Sequence, residues 1–269
     1  MTDDQRRSAR RGGVDTAIRT AAIWKSVLAA VASRPDGADA GPTRPLRVVD
    51  LGGGTGGLAV PLAELGYAVT VVDPSPDALA SLERRAHEVG VADRIVALQG
   101  DAATLPDLVP PGEADLVTCH GVLEVLDDDA AVAAAAHALA HALAPGGILS
   151  VVVAQRLAAV LARALAGRFD QARAVLDSPD GRWGTADPTP RRFDAAQVEG
   201  VLTDAGLQIV GTHGVRLFSD LVPAAFLDTE AERVALLRLE EALDGHPDYA
   251  FLGRLGAALH VIARRPSTP

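Results

Sequence analysis

The chain has 269 residues, 48% of them hydrophobic, and 35 acidic against 25 basic side chains give it a net charge of −10. No apolar run reaches the ~20 residues of a membrane span, an acidic chain is a poor non-specific binder of nucleic acid, and the single cysteine, Cys119, excludes an internal disulfide and fits a reducing cytoplasm. Five Phe, two Tyr and two Trp leave the core to be built from Ala, Val and Leu.

The first thirteen residues, "MTDDQRRSARRGG", carry neither apolar periodicity nor a signal core, so a disordered tail without a secretion signal is expected. Residues 14–33 place Val14, Ile18, Ile23, Val27, Leu28 and Val31 at helical spacing, and Asp36 to Pro45 reads as a linker. From residue 46 short apolar runs alternate with helical segments, the signature of a parallel sheet with crossover helices. Strands are expected at 46–51, 68–73, 94–99, 114–119 and 148–154, with helices at 56–65, 76–89 and 129–143 between them. Asp127 to Asp129 suit the start of the last of these helices, and "PGG" at 145–147 is expected to end it. Beyond Ala154 the pattern predicts helices at 155–166, 169–176 and 194–205, a Pro- and Gly-rich loop at 177–192, a strand at 207–218, broken helix over 219–256 and a closing strand at 258–265.

The first strand runs into "VVDLGGGTGG", where five glycines fall within six positions. Such a strand-to-helix turn lets a ligand approach the backbone without meeting a Cβ. No Gly-Lys-Ser/Thr follows, so the loop is not of the Walker type, and G-x-G-x-x-G fits Gly52, Gly54 and Gly57 only loosely. The acidic residue just before the glycines, Asp50, favours an adenosylmethionine site over a pyrophosphate site. Asp73 ends the second strand at about the 20-residue spacing of a ribose-binding acid, though it could instead cap the next helix; Ser75 is better placed for that. In "LQGDAATL" Asp101 could accept from an adenine amino group while the backbone of Ala102 and Ala103 donates to the ring, unless this is an ordinary turn. His120 follows the fourth strand, at the sheet edge that faces ligands, and Glu124 one helical turn on reads as a surface or capping residue.

"VVDLGGGTGG", "VVDPS", "GDAATL", "ADLVTCHGVLEVL" and "LAPGGILSVVV", in this order, resemble the class I adenosylmethionine-dependent methyltransferases over residues 44–155. The resemblance implies a Rossmann-like α/β fold: a seven-stranded, mostly parallel sheet with an antiparallel last strand, helices on both faces and helical insertions near the substrate mouth. It also implies one domain over 14–269, with the cofactor core at 44–155, a substrate-side region at 156–257 and the last strand at 258–265. "IRTAAIW", "AGRFDQARAVL", "GTHGVRLFSDL", "LLRLEEAL" and "HVIARRP" are similar to the tRNA 5-carboxymethoxyuridine methyltransferases, which methylate the carboxylate of a modified wobble uridine. That family implies S-adenosylmethionine as cofactor, tRNA as partner, and cofactor contacts from Arg19, Gly52, Gly53, Asp73, Ala102, Ala103 and His120, to which the reading of the loops themselves adds Gly54 and Asp101. The chain departs from it in its short Arg-rich start, in "VVVAQRLA" after the fifth strand and in the loop "DSPDGRWGTADPTPRRF".

A carboxylate nucleophile with a pKa near ~4 is already ionised at neutral pH, so the reaction needs a cation to hold it and no base. Arg216 is the first candidate, with Arg191 and Arg192 as loop candidates for which a surface or salt-bridged role is the stronger reading; an amine or phenol acceptor would turn to His120 as base. Trp183 could contact substrate, whereas Trp24 sits in an apolar helix stripe. His137 and His141 lie four apart on one helix without an evident third ligand, so no metal is expected. The alternatives are a small-metabolite methyltransferase, a binding module without turnover, and a nicotinamide oxidoreductase.

Overall fold

In the computed structural model, which describes residues 23–33, 44–218, 220–223, 226–244 and 246–267, the Val- and Leu-rich runs pair into one sheet. A helix at 23–32 (α1) leads to β1 (Arg47–Leu51), α2 (Ala59–Glu64), β2 (Ala68–Asp73), α3 (Pro76–Glu88), β3 (Ile95–Gln99), α4 (Leu105–Leu108) and β4 (Ala114–His120). Then come α5 (Asp129–Ala142), β5 (Leu143–Ala154), α6 (Arg156–Leu165), α7 (Phe169–Asp177) and α8 (Ala195–Asp204). The chain closes through β6 (Gln208–Val215), α9 (Glu230–Asp244), α10 (Ala250–Gly253) and β7 (Ala258–Arg264). Among the described residues the sheet has seven strands in the order β3-β2-β1-β4-β5-β7-β6. β1 to β5 run parallel, and β7 runs antiparallel between β5 and β6. This is the expected Rossmann-like sheet with its reversed last strand.

Strand alternation divides the core between two faces. Val48, Val69, Val71, Leu116, Ile148 and Ile262 pack with residues of α1, α2 and α3. Val49, Leu51, Val117, Cys119, Leu149 and Val261 pack with α4, α5 and α8 on the other side. Local chemistry sets the helix starts. Ser75 Oγ accepts from Ala78 N–H with Pro76 behind it, and Asp128 Oδ1 accepts from Ala131 N–H, as the acidic run predicts.

Several boundaries move. The "PGG" segment does not terminate α5. That helix ends at Ala142 because Leu143 turns extended (φ −68°, ψ 138°), and β5 runs through Pro145 to Gly147. Pro145 lacks an N–H, and the strand absorbs it where the β4–β5 register shifts between Ala114 and Leu116. Pairing then resumes through Gly146 N–H to Arg265 O and Arg265 N–H to Gly147 O. The expected helix at 56–65 begins only at Ala59, because the glycine turn occupies the residues before it. The strand expected over 207–218 stops at Val215, where Arg216 adopts a left-handed φ of 61°. Of the helix expected at 14–33, residues 14–22 lie outside the described residues.

Gly214 on β6 lies against the end of α10 so closely that a Cβ would sit 1.4 Å from Gly253 O. Gly214→Ala should lower unfolding stability by about 1–3 kcal/mol in urea titration, with hydrogen exchange accelerating around residues 250–257 more than in β1 and β2.

Candidate active site

The strand order makes the site. β1 lies between β2 and β4, so the carboxyl ends of β3, β2, β1, β4 and β5 set Asp101, Asp73, Gly52–Gly54, His120 and Ala154 side by side along one edge. The switch of direction from β1 to its two neighbours opens the crevice where open α/β sheets bind ligands. Sequence reasoning placed these segments on this edge, and the structure brings them together.

The glycine loop is shaped first by the protein's own side chains. A Cβ at Gly53 would fall 2.5 Å from Asp50 Oδ2 and 2.8 Å from Val71 Cγ1. Gly52, at φ 72°, has no room for one against Val122 Cγ2. The crowding that these two residues relieve is therefore internal as well as ligand-facing. Asp50 is 3% exposed; Thr118 Oγ1 donates to its Oδ1 at 2.6 Å, and Oδ2 has no hydrogen-bond partner among the described residues. Burial, and secondarily the negative charge of Asp73, push the Asp50 carboxyl up to about 6 against the opposing Thr118 bond.

Asp73 is held rigidly. Its Oδ2 accepts from Gly54 N–H at 2.9 Å and its Oδ1 from Ser75 N–H at 2.9 Å. A carboxylate has about four acceptor positions, so one on each oxygen remains for a vicinal diol. Ser75 caps α3, which leaves Asp73 free of that task. Asp101 Oδ1 accepts from the N–H groups of Ala103 and Thr104 and from Thr104 Oγ1, and these bonds hold its carboxyl below the usual range. Ala103 N–H, expected to face an adenine ring, is thus engaged inside the turn, while Ala102 is buried against the β-sheet core. Asp101 Oδ2 takes no part in those bonds.

His120 ends β4, one register step beyond the Leu51–Cys119 pair and so beside Gly52. Its Nε2 lies 2.8 Å from Ser150 Oγ. Arg216 stands across the edge from the glycine loop, beyond β6. It lines a cavity of about 250 Å³ with Ala154, Gln155, Arg163 and Arg192, its guanidinium reaches Asp220 at 3.3 Å, and its Nε is buried without a partner among the described residues. The two loop arginines take their structural reading. Arg192 makes a bidentate pair with the buried Asp187, and Arg191 pairs with Asp129. Burial alone would raise Asp187, but Arg192 and the N–H groups of Thr189 and Trp183 hold it below the usual carboxylate range.

Glu124 is not a surface residue. It is 8% exposed, accepts from Ala154 N–H at 2.7 Å, and its pKa is raised by burial. Trp24 packs against the α1–α3 core, and Arg163 covers one face of Trp183 at 4.6 Å. Among the described residues no group of three His, Cys, Asp or Glu could hold a metal, and His137 and His141 stay on α5. Arg19 lies outside the described residues. Sequence reasoning missed Thr118, Ser150 and His260, polar residues set between apolar neighbours in β4, β5 and β7. That interruption of an otherwise continuous Val/Leu run was the available signal.

A carboxyl whose pKa is raised on folding stabilises the fold while protonated, and the contribution is lost as pH rises from 3.8 through about 6. Asp50→Asn removes this titration. In the ligand-free protein its stability relative to the parent should therefore improve by about 2–3 kcal/mol between about pH 4 and about pH 7, read by denaturant unfolding at each pH.

Residues 48–147 match the family model described as a methyltransferase domain. The tRNA 5-carboxymethoxyuridine methyltransferase of Escherichia coli (strain K12) is 32% identical over 255 residues, 93% of this chain and 89% of that protein. A ubiquinone biosynthesis O-methyltransferase of Methylococcus capsulatus is 30% identical over 183 residues, 63% of this chain and 66% of its own length. Among solved structures, magnesium protoporphyrin IX methyltransferase from Synechocystis PCC 6803 with bound SAH shares the fold at a TM-score of 0.58 and 20% identity, covering 93% of this chain and 84% of that one. With the edge of glycines, acids and histidine in place, the chain belongs to the class I S-adenosylmethionine-dependent methyltransferases, in the family of the tRNA 5-carboxymethoxyuridine methyltransferases.

Proposed function

We propose that this S-adenosylmethionine-dependent methyltransferase esterifies the carboxylate of 5-carboxymethoxyuridine at the tRNA wobble position. The observation that carries the reading is the extent of the similarity: it spans 93% of the chain, well beyond the methyltransferase domain at 48–147 and through the substrate-side helices.

The residues along the edge suit that cofactor. Asp73, anchored by two backbone N–H groups, offers one free acceptor position per oxygen to the ribose hydroxyls. Asp101 Oδ2 serves the adenine amino group, and the partnerless Oδ2 of Asp50 gives the loop a negative lining against which a positive group is favoured. Gly52 to Gly54 admit the methionine end, and His120 closes it from β4. When bound, the cofactor supplies a methyl group on a sulfonium sulfur, open to in-line attack. Arg216 holds the acceptor carboxylate in the cavity beyond β5, and the ionised acceptor needs no proton removed.

A second reading, methylation of a small metabolite, has one observation in its favour. Arg191 and Arg192 at the mouth are neutralised by Asp129 and Asp187, which leaves less positive surface for a phosphate backbone.

Asp73→Ala should weaken adenosylmethionine binding more than tenfold by calorimetry, since two ribose hydroxyls lose a charged acceptor; unchanged affinity would remove Asp73 from the pocket. With labelled cofactor, the purified protein should methylate tRNA carrying 5-carboxymethoxyuridine, and Arg216→Gln should raise the acceptor KM about tenfold or more at unchanged cofactor affinity. Transfer into a metabolite fraction and none into RNA would establish the second reading.

A further inference from the structure

Behind His120 the same face of the sheet carries a buried polar chain. Ser150 on β5 is fully buried, and its Oγ lies 2.8 Å from His120 Nε2 on β4 and 2.8 Å from His260 Nε2 on β7. The two imidazoles stand edge to face, with centroids 6.1 Å apart. His260 is 1% exposed and faces His213 across the β6–β7 pairing. Burial first, then the neighbouring His120 and His213, depress its pKa to about 3, so it is neutral at physiological pH.

A serine hydroxyl has one proton and two acceptor positions; with the two Nε2 atoms as the partners of the buried Ser150 Oγ, its proton goes to one imidazole and it accepts from the other. Two neutral rings bridged by it through their Nε2 atoms must therefore hold opposite tautomers. If His260 carries its proton on Nε2, Ser150 donates to His120 Nε2, and the His120 proton sits on Nδ1. If His120 carries Nε2–H, Ser150 donates to His260 Nε2, and the His260 proton sits on Nδ1. A doubly protonated His120 permits only the second arrangement. With Nε2 bonded to the serine, the arrangement sets whether His120 Nδ1 carries a proton.

We propose that Ser150 and His260 are positioning residues for His120: through the shared hydroxyl they fix its ring plane and its tautomer, and so determine whether Nδ1 donates or accepts at the cofactor edge. This rests on the reading of His120 as a cofactor-edge residue. Among the described residues, the titratable and charged groups around it include Asp50, bonded to Thr118 on the same face, His213 opposite His260, and Lys25, Arg216, Glu240 and Glu241, which line the cavity that His213 and His260 also border. His260 approaches from the antiparallel last strand, so the reversed strand, remote from the glycine loop in sequence, reaches the cofactor edge through one hydroxyl.

The test is imidazole nitrogen-15 NMR on the full chain with labelled histidine. In the parent protein His120 and His260 should each show a single tautomer, and the two should be opposite; the same tautomer in both, or fast exchange in both, overturns the relay whichever variants fold. Ser150→Ala should free the two rings from each other, and Ser150→Thr, which keeps the hydroxyl, should restore the coupling. Adenosylmethionine Kd should rise roughly fivefold in Ser150→Ala, the worth of about one net hydrogen bond, and recover in Ser150→Thr. Lost coupling with unchanged Kd overturns the positioning role. His120→Ala separates the two readings: if it leaves cofactor Kd unchanged, the assignment of His120 to the cofactor edge fails, while the tautomer coupling in the parent protein stands as a property of the fold.

Discussion

A parallel strand paired on both sides and covered on both faces can be approached only at its end. β1 is that strand. β2 and β4 occupy its two hydrogen-bonding edges, buried residues of both core clusters cover its faces, and the chain must leave it at Leu51 into a turn with almost no room. The turn solves the problem by dispensing with Cβ atoms: Val122, Val71 and the Asp50 carboxylate fill the space that side chains at Gly52 and Gly53 would need. The backbone that emerges carries the Gly54 N–H to Asp73, so the packing of β1 and the orientation of the acid on β2 are one structural event.

That coupling explains the charge pattern of the site. Asp73 is close enough for its charge to act on Asp50, and both carboxyls are nearly out of solvent. The Thr118 hydroxyl relieves one Asp50 oxygen only. A pocket with an excess of buried acceptors and few donors suits a ligand that brings hydroxyls, an amino group and a positive charge, and it repels phosphate. The acidic lining thus separates an adenosylmethionine site from a dinucleotide site more sharply than the count of glycines does. On the acceptor side the charges run the other way, but most arginines there serve the fold. Arg192 ties the 177–193 loop to itself through Asp187, and Arg156 binds the end of α7 through the carbonyls of Val175, Ser178 and Pro179. Arg216, in a left-handed conformation beyond β6, lines the cavity and pairs with Asp220.

The elements legible in the sequence were those where one local rule decides. Strand two and the start of α3 follow from an apolar run, an acid and a Ser-Pro cap, and they occur where expected. The edge residues were legible because strand ends in a parallel sheet all point to one side. The missed features obey no local rule. "PGG" reads as a helix stop, yet it lies inside β5 because a register shift against β4 and two hydrogen bonds with Arg265, far along the chain, accommodate it. Glu124 reads as a surface carboxylate, but the N–H of Ala154 on the neighbouring strand draws it into the interior.

The amino-acid order by itself determined the alternation of strand and helix, the glycine turn and the acids at its flanks, because apolar periodicity and the lack of a Cβ act within a few residues. Only the tertiary structure decided which polar groups meet. Ser150 bridges His120 and His260, Thr118 relieves Asp50, and Asp187 claims Arg192. Hydrogen bonds act over about 3 Å, and the sheet brings residues to that distance without regard to their separation along the chain. For this reason the cofactor was readable from the sequence, while the partners of Arg192, His120 and His260 had to wait for the fold.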